Sequence, residues 1–119
     1  MQDAVGLCLD EEVGLVLRRD ASEIVLGTQH VDLRRYSILR RLLTALLEQR
    51  ERRPGAPLSL ASLVAAGWPG ERIQAKAARN RVHVALATLR QMGLRPFLIR
   101  DCDGYLLAPS LSIADAEAA

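Results

Sequence analysis

The stretch that decides the fold is residues 58–93, which read LSLASLVAAGWPGERIQAKAARNRVHVALATLRQMG. Its first part predicts a short helix over residues 60–66, because Ser59 is a good N-cap and Gly67 is placed to close the helix. Trp68-Pro-Gly70 predicts a tight turn. Apolar residues then recur at helical spacing and predict a third, longer helix. That helix stops at Gly93, and its inward face consists of Ile73, Ala75, Ala78, Val82, Leu86 and Leu89.

A first helix is predicted upstream of this stretch. Asp32 is placed as its N-cap, and Pro54-Gly55 ends it. The pairs Arg34-Arg35 and Arg40-Arg41 interrupt the apolar positions; they fit solvated helix surface better than DNA contacts, because charged residues between apolar ones are typical of any amphipathic helix. The apolar stripe consists of Leu33, Tyr36, Leu39, Leu42, Leu43, Leu46 and Leu47, which follow i, i+3, i+4 spacing.

Strand-like segments flank the helices on both sides. The alternating Val5, Leu7 and Leu9, then Leu15-Val-Leu17 and Ile24-Val-Leu-Gly27, predict a small antiparallel sheet of about three strands. After the helices, Phe97-Leu-Ile99 and Tyr105-Leu-Leu107 flank a polar loop, which predicts a β-hairpin. The segment beyond Pro109 is predicted to be a flexible tail.

The composition is that of one folded domain. The chain has 119 residues, of which 50% are hydrophobic and 25% charged, so wholesale disorder and a second core are not expected. No apolar run is long enough for a bilayer span and no secretion signal opens the chain, so we expect a cytoplasmic protein. Cys8 and Cys102 are expected to be thiols, although a single bridge is possible.

Charge is strongly segregated along the chain. Residues 1–32 carry a formal charge of −5, residues 33–100 carry +11 and residues 101–119 carry −4. A basic middle of this size fits a polyanionic partner, although arginines on helix surfaces are often only solvated.

The order of strands, three helices and a hairpin is that of a winged helix-turn-helix. The chain resembles the OmpR/PhoB-type winged-helix domain of bacterial response regulators in Leu60-Ala-Ser-Leu63, the Trp68-Pro-Gly-Glu71 turn, Arg81-Val-His-Val-Ala-Leu-Ala-Thr-Leu-Arg90 and Gly104-Tyr-Leu-Leu107. The fold class is therefore expected to be α+β. The domain would cover 1–109, with the sheet in 1–31, the helices in 32–93, the wing hairpin in 95–108 and the tail in 110–119.

The resemblance implies double-stranded DNA binding by a bacterial transcriptional regulator, or by the DNA-binding module of one, with the third helix in the major groove. An advance of about 100° per residue turns Lys76, Asn80, Val84, Ala87 and Gln91 outward. Asn80 is suited to an adenine edge and Val84 to a thymine methyl, while arginines suit phosphate or guanine. The candidate DNA-binding residues are Lys76, Arg79, Asn80, Arg81, His83, Val84, Thr88, Arg90 and Arg100.

An alternative function and the role of Trp68 stay open. The alanines at the outward positions Ala85 and Ala87, and the acids Asp101 and Asp103 at the wing tip, fit a winged helix that binds another protein instead of DNA. Trp68 is either a core plug or the mark of a partner-binding loop. We also expect a homodimer, or tethering to a larger regulatory protein, because one small domain binds DNA weakly alone.

An enzyme is not expected. Cys8, Cys102, His30 and His83 lack paired metal-ligand spacing, and there is no phosphate-binding loop or nucleophile motif. We therefore predict no catalytic residues, no metal site, no cofactor and no small-molecule substrate.

Overall fold

The computed structural model of the chain describes residues 15–102 and 104–114. Within them the chain forms three α-helices and two β-sheets, so the predicted α+β class is confirmed. The elements in chain order are β1 (Leu15–Arg18), β2 (Glu23–Leu26), β3 (Gln29–Asp32), α1 (Ser37–Arg52), β4 (Leu58–Ser59), α2 (Leu60–Gly67), α3 (Ala75–Leu89), β5 (Leu98–Asp101), β6 (Gly104–Leu107) and β7 (Ser112–Ala114).

The first sheet has four strands in the order β3-β2-β1-β7. The strands predicted around Leu15–Leu17 and Ile24 are confirmed, and alternation along them buries Leu15, Leu17 and Ile24. Strands β1, β2 and β3 pair antiparallel. The strand expected at Val5, Leu7 and Leu9 lies outside the described residues.

The expectation of a flexible tail from residue 110 is wrong for the described part of that segment. Strand β7 pairs parallel with β1, with Ile113 opposite Leu17. Leu111 is 1% exposed, and Arg50 donates to the carbonyl of Leu111 at 2.8 Å. The buried Leu111 and the hydrogen bond from Arg50 therefore hold a segment whose small and polar residues predicted a flexible tail. Residues 115–119 lie outside the described residues.

Helix α1 begins later than predicted. Asp32 is not its N-cap, because its carboxylate accepts from the backbone N–H of Arg34 at 2.9 Å and closes a turn ahead of the helix. Helix α1 starts at Ser37, so Leu33 is buried outside the helix and Tyr36 is 47% exposed instead of belonging to the buried stripe. The rest of the stripe is confirmed, since Leu39, Leu42, Leu43, Leu46 and Leu47 are all buried.

The predicted N-cap of helix α2 is confirmed, and the predicted closing role of Gly67 at its C-terminus is wrong. The Ser59 hydroxyl accepts from the Ser62 backbone N–H at 3.1 Å, as expected of an N-cap. Gly67 does not terminate the helix in a left-handed conformation; it is the last helical residue, and the C-cap is Trp68. A Cβ on Gly67 would lie 3.1 Å from Leu42 Cδ2, so the glycine allows α2 to approach α1 closely.

Helix α3 buries a different set of positions from the one predicted. Ala78, Val82, Leu86 and Leu89 are buried as expected. Ala75 is exposed, however, and Ala85, predicted to face outward, is only 8% exposed. The stripe is displaced because α3 packs against both α2 and α1. Helix α3 ends at Leu89, and a wider turn over Arg90–Leu94 follows it, in which Gly93 has a φ of 125°.

The second sheet has the strand order β4-β6-β5 and contains the predicted hairpin. Strands β5 and β6 pair from Leu98 opposite Leu107 to Asp101 opposite Gly104, so they extend into the segment expected to be a polar loop. A Cβ on Gly104 would lie 2.5 Å from the Leu58 carbonyl oxygen, which explains glycine where β4 meets β6. The pairing ties the hairpin to the start of α2.

Candidate nucleic-acid interface

The outer surface of α3 is built as the helical advance predicts. Lys76, Asn80, Ala87 and Gln91 are exposed, and Val84 is 58% exposed. The helix therefore presents two polar side chains and one branched apolar side chain on its solvent-facing surface.

A cationic pocket lies where one flank of α3 meets the hairpin. Arg79 and His83 reach it from α3, Arg100 from β5 and Tyr105 from β6. The concavity measures about 410 Å³, and its lining is completed by Ser59, Leu60 and Ala61 at the start of α2. We call these seven residues the hairpin pocket. The sequence could not place the start of α2 beside the hairpin, because the β4–β6 pairing is what brings the two together.

The cations of the hairpin pocket are not neutralised by acids of the described chain. Within residues 15–102 and 104–114, no carboxylate oxygen lies within 4.0 Å of the charged nitrogens of Arg79 or Arg100. Asp101 follows Arg100 in β5, and consecutive strand residues point to opposite faces of a sheet. Both guanidinium groups therefore keep their positive charge available to an external anion.

A second concavity of about 490 Å³ continues this surface along α3. It is lined by Lys76, Asn80, Arg79 and His83 together with Gln74 and Ala77, and it shares Arg79 and His83 with the hairpin pocket. We call Lys76, Arg79, Asn80, His83 and Arg100 the basic face. Five of the predicted site residues thus lie on one continuous surface that also reaches the start of α2.

The structure separates Arg81 and Thr88 from the basic face. Arg81 Nη1 lies 3.1 Å from Glu71 Oε1, and its guanidinium carbon lies 5.9 Å from the centre of the Trp68 ring. Thr88 donates its hydroxyl to the Val84 carbonyl at 3.0 Å. These two residues occupy the opposite flank of α3 and are engaged within the chain.

Arg90 is also engaged within the chain. Its Nη2 donates to the Leu98 carbonyl at 3.2 Å, and its guanidinium carbon lies 5.9 Å from the centre of the Tyr105 ring. Arg90 therefore connects the end of α3 to both strands of the hairpin. It is a positioning residue for the hairpin pocket, not a member of the basic face.

An apolar groove of about 550 Å³ lies on the Arg81 flank of α3. It contains Tyr36 and Val84, two of the three large hydrophobic residues that are exposed within the described ranges. Trp68 borders it but is only 9% exposed, so its side chain is a core plug. Sequence reasoning missed the groove because it assigned Tyr36 to the buried face of α1; an aromatic residue at a helix boundary was the available signal.

The acids of the first sheet and of its first turn accept hydrogen bonds from nearby groups. The Arg34 guanidinium lowers the pKa of Asp32 to about 2 from 3.8. Hydrogen bonds from His30 and then Arg18 lower the pKa of Glu23, and a hydrogen bond from Ser22 lowers that of Asp20. The sheet therefore keeps its carboxylates charged and paired, in contrast to the unpaired cations of the basic face.

The described ranges hold no grouping of three or more His, Cys, Asp or Glu side chains suited to a metal ion. Cys102 is exposed in the hairpin turn, while Cys8 lies outside the described residues. None of the helices seen in residues 15–102 and 104–114 combines the length and apolar character needed to cross a bilayer. Comparisons of the chain with models of protein families, with curated proteins and with solved structures found no match.

Proposed function

We propose that the chain binds double-stranded DNA as a bacterial transcriptional regulator, or as the DNA-binding module of one. The observation that carries the proposal is the basic face, on which Lys76, Arg79 and Arg100 surround Asn80 and His83 without a paired carboxylate among the described residues. Phosphate contacts dominate the affinity of proteins for DNA, so unpaired cations on one surface favour this partner.

The proposed geometry is that of a winged helix-turn-helix. Helix α2, the turn after it and helix α3 form the helix-turn-helix, and the β5–β6 hairpin is the wing. Asn80 would accept and donate at an adenine edge, and Val84 would contact a thymine methyl. The proposal involves no catalytic group or cofactor.

The interactions of Arg81 and Arg90 narrow the set of residues proposed to contact DNA. Arg81 is paired with Glu71, and Arg90 donates to the hairpin, so neither is assigned a DNA contact in the proposal. The phosphate contacts are assigned instead to Lys76, Arg79 and Arg100, because these cations are exposed and face no carboxylate of the described chain.

A charge-reversal experiment tests the proposal. The double variant Lys76→Glu/Arg79→Glu is compared with Arg52→Glu/Arg53→Glu, which reverses the same number of exposed charges at the end of α1. Fluorescence anisotropy with a labelled random-sequence duplex should show loss of binding for the first variant and only a small decrease for the second. Equal affinities, with circular dichroism showing both variants folded, would refute the assignment of α3.

The apolar groove favours a second candidate, a winged helix that binds another protein. Exposed Tyr36 and Val84 lie in this groove, and the nearby Arg81 is neutralised by Glu71. This arrangement resembles a protein contact more than a phosphate contact. If Tyr36→Ala abolishes capture of a partner while the duplex never binds, this candidate replaces the first.

A further inference from the structure

The hairpin pocket differs from the rest of the basic face in its shape. Lys76 and Asn80 line a concavity formed by α3 and the residue before it, whereas Arg79 and Arg100 line one concavity from two different elements. An arginine can donate two parallel N–H bonds to a phosphate, so two arginines that line one concavity can bind the same phosphate group. His83 and Tyr105 also line this pocket.

The strand that carries Arg100 is held to the end of α3 by contacts that do not involve the Arg100 side chain. Arg100 stands opposite Tyr105 in the β5–β6 register, and the Tyr105 ring lies under the guanidinium of Arg90. Arg90 in turn donates to the Leu98 carbonyl, two residues before Arg100. The hairpin is thus attached to the end of the same helix that carries Arg79 and His83.

We propose that the hairpin pocket is a seat for a single phosphate group, held by Arg79 and Arg100 with His83 beside them. The proposal rests on the two arginines that line this pocket from separate elements and not on the end of α2, whose Ser59 hydroxyl is already bonded to Ser62. A backbone phosphate of DNA fills the seat if the proposed function holds. A free phosphate monoester has the same chemistry and is the other source of ligand.

The seat is tested first with inorganic phosphate and the full chain. Phosphate is titrated at constant ionic strength, with chloride as the comparison anion, and NMR follows the His83 ring and the amides of Ser59, Leu60 and Ala61. We expect saturable shifts with phosphate and none with chloride. Arg79→Gln and Arg100→Gln should each abolish the saturation, whereas Arg53→Gln, which removes an exposed charge outside the pocket, should preserve it.

The second arm uses duplexes in which one backbone phosphate at a time is replaced by a neutral methylphosphonate. Neutralising one particular linkage should lower the affinity of the wild type but not that of Arg100→Gln. The Arg100→Gln variant should also reduce the magnitude of the slope of log K against log salt by about 0.9. Saturation by phosphate without duplex binding supports the seat with a free ligand and refutes the proposed function. If neutralising one linkage lowers the affinity of the wild type but not that of Arg100→Gln, the seat is supported, with a DNA backbone phosphate as its ligand. Duplex binding with neither phosphate saturation nor this difference at any linkage overturns the seat and leaves the proposed function standing.

Discussion

Asp32 shows how a single side chain can be assigned the wrong role from sequence. An aspartate ahead of an amphipathic stretch predicts an N-cap, but this carboxylate is held by the guanidinium of Arg34, two residues later. The local ion pair forms a turn that delays the helix to Ser37. Sequence spacing cannot distinguish the two outcomes, because both place an acid just before the first apolar positions.

The Asp32–Arg34 pair predicts a pH dependence. The pKa of Asp32 is lowered to about 2 from 3.8, chiefly by hydrogen bonding to the Arg34 side chain, so the folded state favours the carboxylate. The pair therefore contributes stability that is fully present above the unfolded pKa of 3.8 and is lost as pH falls through about 2. Arg34→Gln should raise the Asp32 pKa toward 3.8 in an NMR titration of its carboxyl carbon.

Arg35→Gln is the matched control for that titration. Arg35 is the weakest of the influences on Asp32, so its loss should move the pKa much less than the loss of Arg34. An Asp32 pKa that is the same in Arg34→Gln as in the wild type would show that the pair does not form in solution.

Gly104 and Gly67 both lie close to neighbouring atoms, but replacing them with alanine is expected to change the stability of the fold differently. A Cβ at position 104 would lie 2.5 Å from the Leu58 carbonyl, a backbone atom that cannot move aside, so Gly104→Ala should cost about 1–3 kcal/mol or more. At position 67 the nearest atom belongs to the Leu42 side chain, and alanine gains about 1 kcal/mol of helix propensity. Urea unfolding should show a clear loss only for Gly104→Ala; equal stabilities would contradict the β4–β6 pairing.

At the scale of elements, periodicity predicted most of the fold. The stripe of α1, the Ser59 cap, the tight turn after Trp68 and the hairpin strands were all readable because their signals are local. Strand β7 was not, since three residues with little pattern form a strand only by pairing with β1, about a hundred residues away along the chain. The displaced stripe of α3 has the same origin, because packing against α1 and α2 decided that Ala85 is buried.

The C-terminal segment gives a prediction at this scale. Leu111 is 1% exposed and precedes β7, so Leu111→Ala should cost about 2–5 kcal/mol in the free energy of unfolding. Ser110→Ala changes an exposed neighbour and should cost little. Thermal or urea unfolding checks both variants, and a neutral Leu111→Ala would restore the original interpretation of a loose tail.

The site was only partly predictable for the same reason. Helical geometry placed Lys76, Asn80 and Val84 outward without any knowledge of their neighbours. Arg81 is paired and Arg79 is not, because Glu71 and Trp68 contact Arg81. Both residues lie in the turn before α3, and the spacing of residues along α3 does not reveal these contacts. The hairpin pocket depends on contacts among α2, α3 and the hairpin, and no local pattern encodes it.

At the scale of the whole molecule, the described acids of the first sheet and the cations of the basic face differ in whether they are paired. The described acids of the first sheet are paired with nearby cations, Glu23 with Arg18 and His30 and Asp32 with Arg34, while the cations of the basic face are unpaired among the described residues. A positive surface of this kind attracts a polyanion over distances set by ionic strength. Three of the fourteen cations in residues 33–100, namely Lys76, Arg79 and Arg100, lie on this surface of α3 and the hairpin.

The most direct test of DNA binding is the salt dependence of the wild-type chain on a random-sequence duplex, measured by fluorescence anisotropy. Each phosphate neutralised contributes about −0.9 to the slope of log K against log salt, so the three cations of the basic face predict a slope between about −2 and −3. A slope in this range that falls toward zero in Lys76→Glu/Arg79→Glu would support DNA as the partner. No binding at low salt, or binding insensitive to salt, would contradict it.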